Sequence, residues 1–212
     1  MTGSIWQSLA RIFNNEQPSF YSLVFKYPDL IKFIERPNRM LQLAAVKSNA
    51  DSIRHIKNPD PVVQKTAVDT YWGCIKYIKN PTKEVQMIAV NKNGQAIKFI
   101  KDPDRDVQIA ALKNNGDAIQ FIDNPDLELQ MIAVENYHPS IKYIKNPFKE
   151  VQLKAVNKDG LVIRYIDNPD ADVQLAAIKN NMYSIFHINN DIHPDVMEYI
   201  SHYVENVTKW RR

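Results

Sequence analysis

Asn80-Pro-Thr-Lys-Glu-Val-Gln-Met-Ile-Ala-Val-Asn-Lys-Asn-Gly-Gln-Ala-Ile-Lys-Phe-Ile-Lys101 decides the fold, because a step of 22 residues in either direction returns the same pattern. Proline recurs at Pro37, Pro59, Pro81, Pro103, Pro125, Pro147 and Pro169. Glutamine keeps the same step at Gln42, Gln64, Gln86, Gln108, Gln130, Gln152 and Gln174. Alanine follows at Ala45, Ala67, Ala89, Ala111, Ala133, Ala155 and Ala177, with no insertion anywhere. A fixed period of this length marks stacked repeats, each covered by its neighbours. The expected fold is all-α: a right-handed α-solenoid of about eight 22-residue two-helix repeats, α/α or α/3₁₀.

Within one copy, Asn58-Pro59-Asp60-Pro61 opens the first helix. Either Asn58 caps with Pro59 behind it, or Asp60 caps with Pro61 behind it. Proline disfavours the α region for the preceding residue, so Asn58 and its equivalents are expected to be extended. Val85, Met87, Ile88, Ala89 and Val90 make the first helix apolar nearly all round, as burial by neighbours on both sides requires. Asn93-Gly94 and Asn115-Gly116 then break it, and glycine there suits a left-handed turn. The second helix, around Ala96 to Ile100, has about two turns and suits partial 3₁₀ geometry.

Outside the regular copies, Ile5, Trp6, Leu9, Ile12 and Phe13 lie at helical spacing, which predicts an N-terminal capping helix over 1–14. Residues 15–36 read as a degenerate first repeat, 37–190 as seven repeats, and 191–212 as a C-terminal capping helix and tail, all in one domain. Val196, Ile200, Tyr203, Val204 and Val207 form the stripe of that last helix.

The chain of 212 residues has a net charge of +3, which neither demands nor excludes nucleic acid. Cys74 is the single cysteine, so a reducing cytoplasm fits and no internal disulfide forms. No apolar run is long enough to span a membrane, and no secretory signal pattern opens the chain. His55, His138, His187, His193 and His202 show no metal-ligand spacing with Cys74. Phosphate loops, Ser-His-Asp order and paired carboxylates are absent from the pattern, so catalysis, cofactors and a small-molecule substrate are not expected.

Three sets of residues are candidates for a role. The glutamine row shares a helix face with buried alanines, and a buried amide left unpaired costs about 1–3 kcal/mol. It is therefore expected to tie the first helix to the Asn-Pro loops. Lys32, Arg54, Lys76, Lys98, Lys142 and Arg164 occupy one position of the second helix, opposite its isoleucines. Lys57, Lys79, Lys101 and Lys145 form a second row three residues on, and Gln120, Phe186, Asp123 and Asp167 interrupt the two rows. Such a basic stripe suits phosphate backbone or an acidic protein surface, or is a solvated face. Tyr77, Phe99, Phe121, Tyr143 and Tyr165 interleave with it and are expected in packing rather than as stacking platforms.

Exceptions form the third set. Tyr71-Trp72 and Tyr137-His138 replace the usual Asn-Gly, and Phe148 replaces a capping residue. Large aromatics on such loops are candidate anchors for a protein partner. Tyr183, beside Met182, and Lys154 also depart from the pattern.

Gln42-Leu-Ala-Ala-Val46 and Gln108-Ile-Ala-Ala-Leu112 resemble a domain of unknown function named for its LAAV motif, spread among phages, large DNA viruses and bacteria. Asn-Pro-Asp-x-x-Val-Gln-x-x-Ala-Val is also similar to HEAT-like and leucine-rich-variant α-repeats. The resemblance covers roughly residues 15–190 and implies right-handed stacks of helix pairs. HEAT-like repeats are often nearly twice as long, and many carry Arg where this chain has Gln, so arginine-ladder chemistry does not carry over. The expectation is a non-enzymatic protein-binding scaffold, as a phage or viral inhibitor or adaptor of a host or defence protein acting by steric occlusion. Nucleic-acid binding through the basic stripe stands second, and a HEAT-like DNA-repair enzyme last.

Overall fold

The computed structural model describes residues 18–189 and 191–209. The capping helix expected over 1–14 and the end of the tail from Trp210 lie outside them. The described residues are helical, with no strand among them, and α-helices alternate with short 3₁₀ helices. The α-helices are α1 (Pro18–Lys26), α2 (Arg39–Ser48), α3 (Pro61–Thr70), α4 (Lys83–Lys92), α5 (Arg105–Asn114), α6 (Leu127–Asn136), α7 (Lys149–Lys158), α8 (Ala171–Asn180) and α9 (Pro194–Lys209). The 3₁₀ helices are η1 (Pro28–Phe33), η2 (Ala50–His55), η3 (Trp72–Tyr77), η4 (Gly94–Phe99), η5 (Gly116–Phe121), η6 (His138–Tyr143), η7 (Gly160–Tyr165) and η8 (Met182–His187).

The chain divides into two compact units, Met1–Asn114 and Asn115–Arg212. In the first, each of α1 to α5 packs on the next, and so does each of η1 to η4. In the second, α6 to α9 and η5 to η8 follow the same rule. This is the contact pattern of a repeat solenoid, in which each rung touches its neighbours. Between the two layers lies the core. The first isoleucine of each of η2 to η7 (Ile53, Ile75, Ile97, Ile119, Ile141, Ile163) and the repeated alanine of each of α2 to α8 are buried.

Aspartate, asparagine or threonine starts most α-helices. Asp60, not Asn58, caps α3, accepting from Val62 N–H at 2.9 Å and Val63 N–H at 3.1 Å, with Pro61 behind it. At five of the seven repeated prolines the preceding residue is left-handed rather than extended. Asn58, Asp102, Asn124, Asn146 and Asn168 take φ between 47° and 57°. Asn and Asp tolerate this left-handed region, and one such residue reverses the chain after η2, η4, η5, η6 and η7.

Glycine does the opposite of what its place suggests: no glycine among the described residues has a positive φ. Close approach selects it instead. A Cβ on Gly116 would lie 2.4 Å from the Ala133 carbonyl oxygen, and one on Gly160 would lie 2.3 Å from that of Ala177. The N–H groups of Gly94, Gly116 and Gly160 donate to Asn114, Asn136 and Asn180 Oδ1, at 2.6, 2.9 and 2.8 Å.

The second helices are wholly 3₁₀ rather than partly so. Six residues cannot hold a worthwhile i→i+4 ladder, and the entering residue fixes the tighter turn. Asn93 shows how: its Oδ1 accepts from Gln95 N–H at 2.9 Å, and its carbonyl accepts from Ala96 N–H at 2.9 Å.

Of α9, only Val196 is buried among the described side chains, while Tyr203 and Val204 are exposed. Of the expected stripe, Val196 is thus covered and Ile200 half-covered, and the side chain of Val207 lies outside the described ones. No described helix is long and apolar enough to cross a membrane.

Candidate functional site

The glutamine row binds backbone. The Nε2 of Gln42, Gln64, Gln86, Gln108, Gln130, Gln152 and Gln174 each donates to the carbonyl of the proline five residues earlier, at 2.8–3.0 Å. That bond fastens each α-helix to the loop that precedes it. Gln130 Oε1 also accepts from Phe148 N–H at 3.2 Å, and Gln174 Oε1 from His193 N–H at 3.0 Å. The Oε1 atoms of Gln42 and Gln64 are buried without a hydrogen-bond partner among the described residues, while the amide donor of every member is committed to the fold.

The charges divide by layer. Cations of the α-helices pair with carboxylates of adjacent repeats: Arg39 with Asp60 at 3.4 Å, Lys65 with Glu84 at 2.5 Å, and Lys83 with Asp106 at 2.6 Å. In the second unit Lys149 pairs with Asp170 at 2.9 Å and also with Asp172, and Lys154 pairs with Glu135 at 2.6 Å. The paired carboxylates push the Lys149 ammonium up to about 12, with Asp172 the larger cause. That face cancels its own charge.

The 3₁₀ layer does not. Lys32, Arg54, Lys76 and Lys98 follow one another on η1 to η4, and no carboxylate lies within ion-pair distance of any of them among the described residues. Three of these side chains lie over the ring of the following residue: Lys32 on Phe33 at 4.9 Å, Lys76 on Tyr77 at 4.8 Å and Lys98 on Phe99 at 4.8 Å. Arg54 instead donates from Nε to His55 Nε2 at 3.0 Å. Burial first, then Arg54, holds His55 below its usual pKa, in keeping with a neutral ring that accepts. The second unit repeats the arrangement with Lys142 on Tyr143 at 4.6 Å and Arg164 on Tyr165 at 4.9 Å. Its row is shorter: Gln120 turns back to the Asp117 carbonyl at 2.8 Å, and Phe186 is 79% exposed.

Four of these rings lie at the rim: Tyr77, Phe99, Tyr143 and Tyr165 are 36–39% exposed, more open than the packing role expected of them, while Phe121 is half-buried. The isoleucines fill the interlayer space, so the aromatic neighbour is left at the rim, beneath its own cation. In the second basic row Lys57, Lys79, Lys101 and Lys145 are exposed, and Lys101 lies 4.0 Å from Asp102. An open hollow of about 460 Å³ beside Lys26, Tyr27, Lys32 and Phe33 begins the first unit's row.

The exceptional turns lie at the entrance of η3 and η6. Tyr71 and Trp72 rings stand 5.9 Å apart at 46°, and Tyr137 and His138 rings 6.0 Å apart at 43°. Tyr71, Tyr137 and Phe148 are exposed, Trp72 and His138 half-buried. Phe148 starts α7 without a side-chain cap. Among the described residues no three of His, Cys, Asp and Glu gather to hold a metal ion.

One pattern was missed by reading single periods. Tyr71, Ile75, Lys76, Tyr77, Ile78, Lys79 and Asn80 recur three repeats later as Tyr137, Ile141, Lys142, Tyr143, Ile144, Lys145 and Asn146. Lys83-Glu-Val-Gln86 and Asn91-Lys92 return as Lys149-Glu-Val-Gln152 and Asn157-Lys158. Comparing copies three apart, rather than adjacent ones, reveals it.

A family model described as a domain of unknown function, DUF4116, matches residues 82–127. That segment runs from the cap of α4 to the first residue of α6, so it holds two α-helices and two 3₁₀ helices of the array. No curated protein and no solved structure matches the chain.

Proposed function

We propose that the chain is a non-enzymatic scaffold that binds a protein partner through the outward side of its 3₁₀ helices. One observation carries this reading: among the described residues the cations of η1 to η4 have no carboxylate at ion-pair distance, whereas Arg39, Lys65, Lys83 and Lys92 of α2 to α4 are paired with carboxylates of adjacent repeats. A partner with an acidic surface would find ammonium groups already laid over rings, with less side-chain freedom left to lose. Tyrosine, tryptophan and arginine, common among interface anchors, stand on this side at Tyr71, Trp72 and Arg54. A rigid row of rungs acts by occupying a surface, so the mechanism is occlusion or bridging rather than chemistry. The resemblance to the LAAV-motif family supports an inhibitor or adaptor role toward a host or defence protein. The single buried thiol, Cys74, supports a reducing cytoplasm.

Nucleic acid is the second reading, favoured by the exposure of Tyr77, Phe99, Tyr143 and Tyr165. A charge-reversed variant, Lys76→Glu/Lys98→Glu/Lys142→Glu, separates the two. Captured proteins from the native cell, and duplex and single-stranded DNA at two salt concentrations, are offered to parent and variant. Loss of a captured protein without salt-dependent DNA binding by the parent supports the scaffold. Salt-dependent DNA binding that the variant loses supports the second reading instead.

A further inference from the structure

We propose that the chain carries two equivalent anchor sites, one in each unit, that take the same acidic protein segment. The inference rests on the 3₁₀ layer being the protein-binding side. In the first unit the site is Tyr71, Trp72, Lys76 and Tyr77, and in the second Tyr137, His138, Lys142 and Tyr143. The geometry is duplicated along with the sequence: paired rings at 5.9 and 6.0 Å, and ammonium over ring at 4.8 and 4.6 Å. Tyr77 and Tyr143, each the largest influence, raise the pKa of Lys76 and Lys142, and Asp51 with Tyr71, and Asp117 with Tyr137, add to it.

The change behind each site reaches into the following repeat. Where the turn is Asn-Gly, the next α-helix supplies an asparagine to the glycine N–H, as in Gly94 with Asn114 and Gly116 with Asn136. Where the turn is Tyr-Trp or Tyr-His, the next α-helix ends in Lys92 or Lys158 instead. Lys92 lies 3.7 Å from Asp69, and Lys158 donates to the Glu135 carbonyl at 2.5 Å. A linked change over two repeats, made twice, is a unit rather than scattered drift. Had the tyrosines only filled the space left by glycine, they would be covered, yet Tyr71 and Tyr137 are 48% and 44% exposed.

The chemistry selects the ligand. An ammonium fixed on one ring, with a second phenol nearby, offers positive charge, O–H donors and apolar ring edge to a carboxylate and its stem. An acidic peptide segment supplies these together.

The test titrates the full chain calorimetrically with oligoglutamate, and with oligothymidylate of matched charge. The parent is expected to bind two equivalents of oligoglutamate. Lys76→Glu and Lys142→Glu should each leave one, and the double variant none. Tyr71→Asn/Trp72→Gly/Lys92→Asn, which copies a turn the fold already uses, should also leave one. A single equivalent in the parent, or two remaining in both single-lysine variants, overturns the proposal. Loss on Lys98→Glu with no effect of Lys76→Glu or Lys142→Glu rejects the paired sites but keeps the general reading. Failure of the parent to bind oligoglutamate rejects both, and binding of oligothymidylate alone assigns the surface to nucleic acid.

Discussion

Replacing Gln174 by alanine should destabilise the chain far more than the same change at Gln86, although the two occupy one position of the repeat. Gln174 is 2% exposed and its amide makes at least three bonds. Nε2 donates to the Pro169 carbonyl at 3.0 Å and the Asp191 carbonyl at 3.2 Å, and Oε1 accepts from His193 N–H at 3.0 Å. Each bond contributes about 0.5–1.5 kcal/mol net, and partners left buried add to the loss, so about 2–4 kcal/mol is expected. Gln86 is half-buried and makes one such bond, to the Pro81 carbonyl at 3.0 Å, which water can replace. Its loss should cost about 1 kcal/mol. Urea unfolding followed by far-ultraviolet circular dichroism reads the difference, with the slope checked for a change in cooperativity. Losses equal within about 0.5 kcal/mol would refute the claim that bond count and burial set the worth of each glutamine.

Three further outcomes follow from the same geometry. Gly160→Ala should cost about 1–3 kcal/mol through the clash with Ala177, and adding Asn180→Thr, which copies Ala50 with Thr70, should recover part of it in a double-mutant cycle. Burial first, then Asp51, pushes the Cys74 thiol up to about 12, so thiol reagents should react slowly at neutral pH until the chain unfolds; Cys74→Ser should be tolerated, because Ser140, three repeats on, donates to Asp117 at 2.9 Å. Lys154, by its hydrogen bond, holds the Glu135 carboxyl below its ordinary pKa. The stability this adds is present above the unfolded carboxylate pKa and is lost as pH falls through the folded one; Lys154→Ala should return Glu135 to the ordinary range in a carbon-detected titration.

Sequence period alone exposed the stacking, because every rung must offer its neighbours the same Val, Ala and Ile positions. The glutamine was legible as inward-facing for the same reason. The conformation of Asn58, Asp102, Asn124, Asn146 and Asn168 was not: proline argues for extension, yet these five reverse the chain in the left-handed region that Asn and Asp tolerate. Gly116 misled because glycine serves two ends, positive φ and close approach, and a sequence shows neither the angle nor the carbonyl of Ala133. For the candidate surface, the rows of Lys and Arg were readable. Which cations are already paired depends on contacts between repeats, such as Lys83 with Asp106, and those emerge only in three dimensions.

The most direct test compares two charge reversals of equal size in the first unit. Lys76→Glu/Lys98→Glu alters the 3₁₀ layer, and Lys65→Glu/Lys83→Glu alters the α layer; both are first shown to fold by circular dichroism. Each is then titrated with oligoglutamate alongside the parent. Binding lost by the first variant and kept by the second is the predicted result. Equal losses, or loss confined to the α-layer variant, would contradict the assignment of the 3₁₀ layer as the working face.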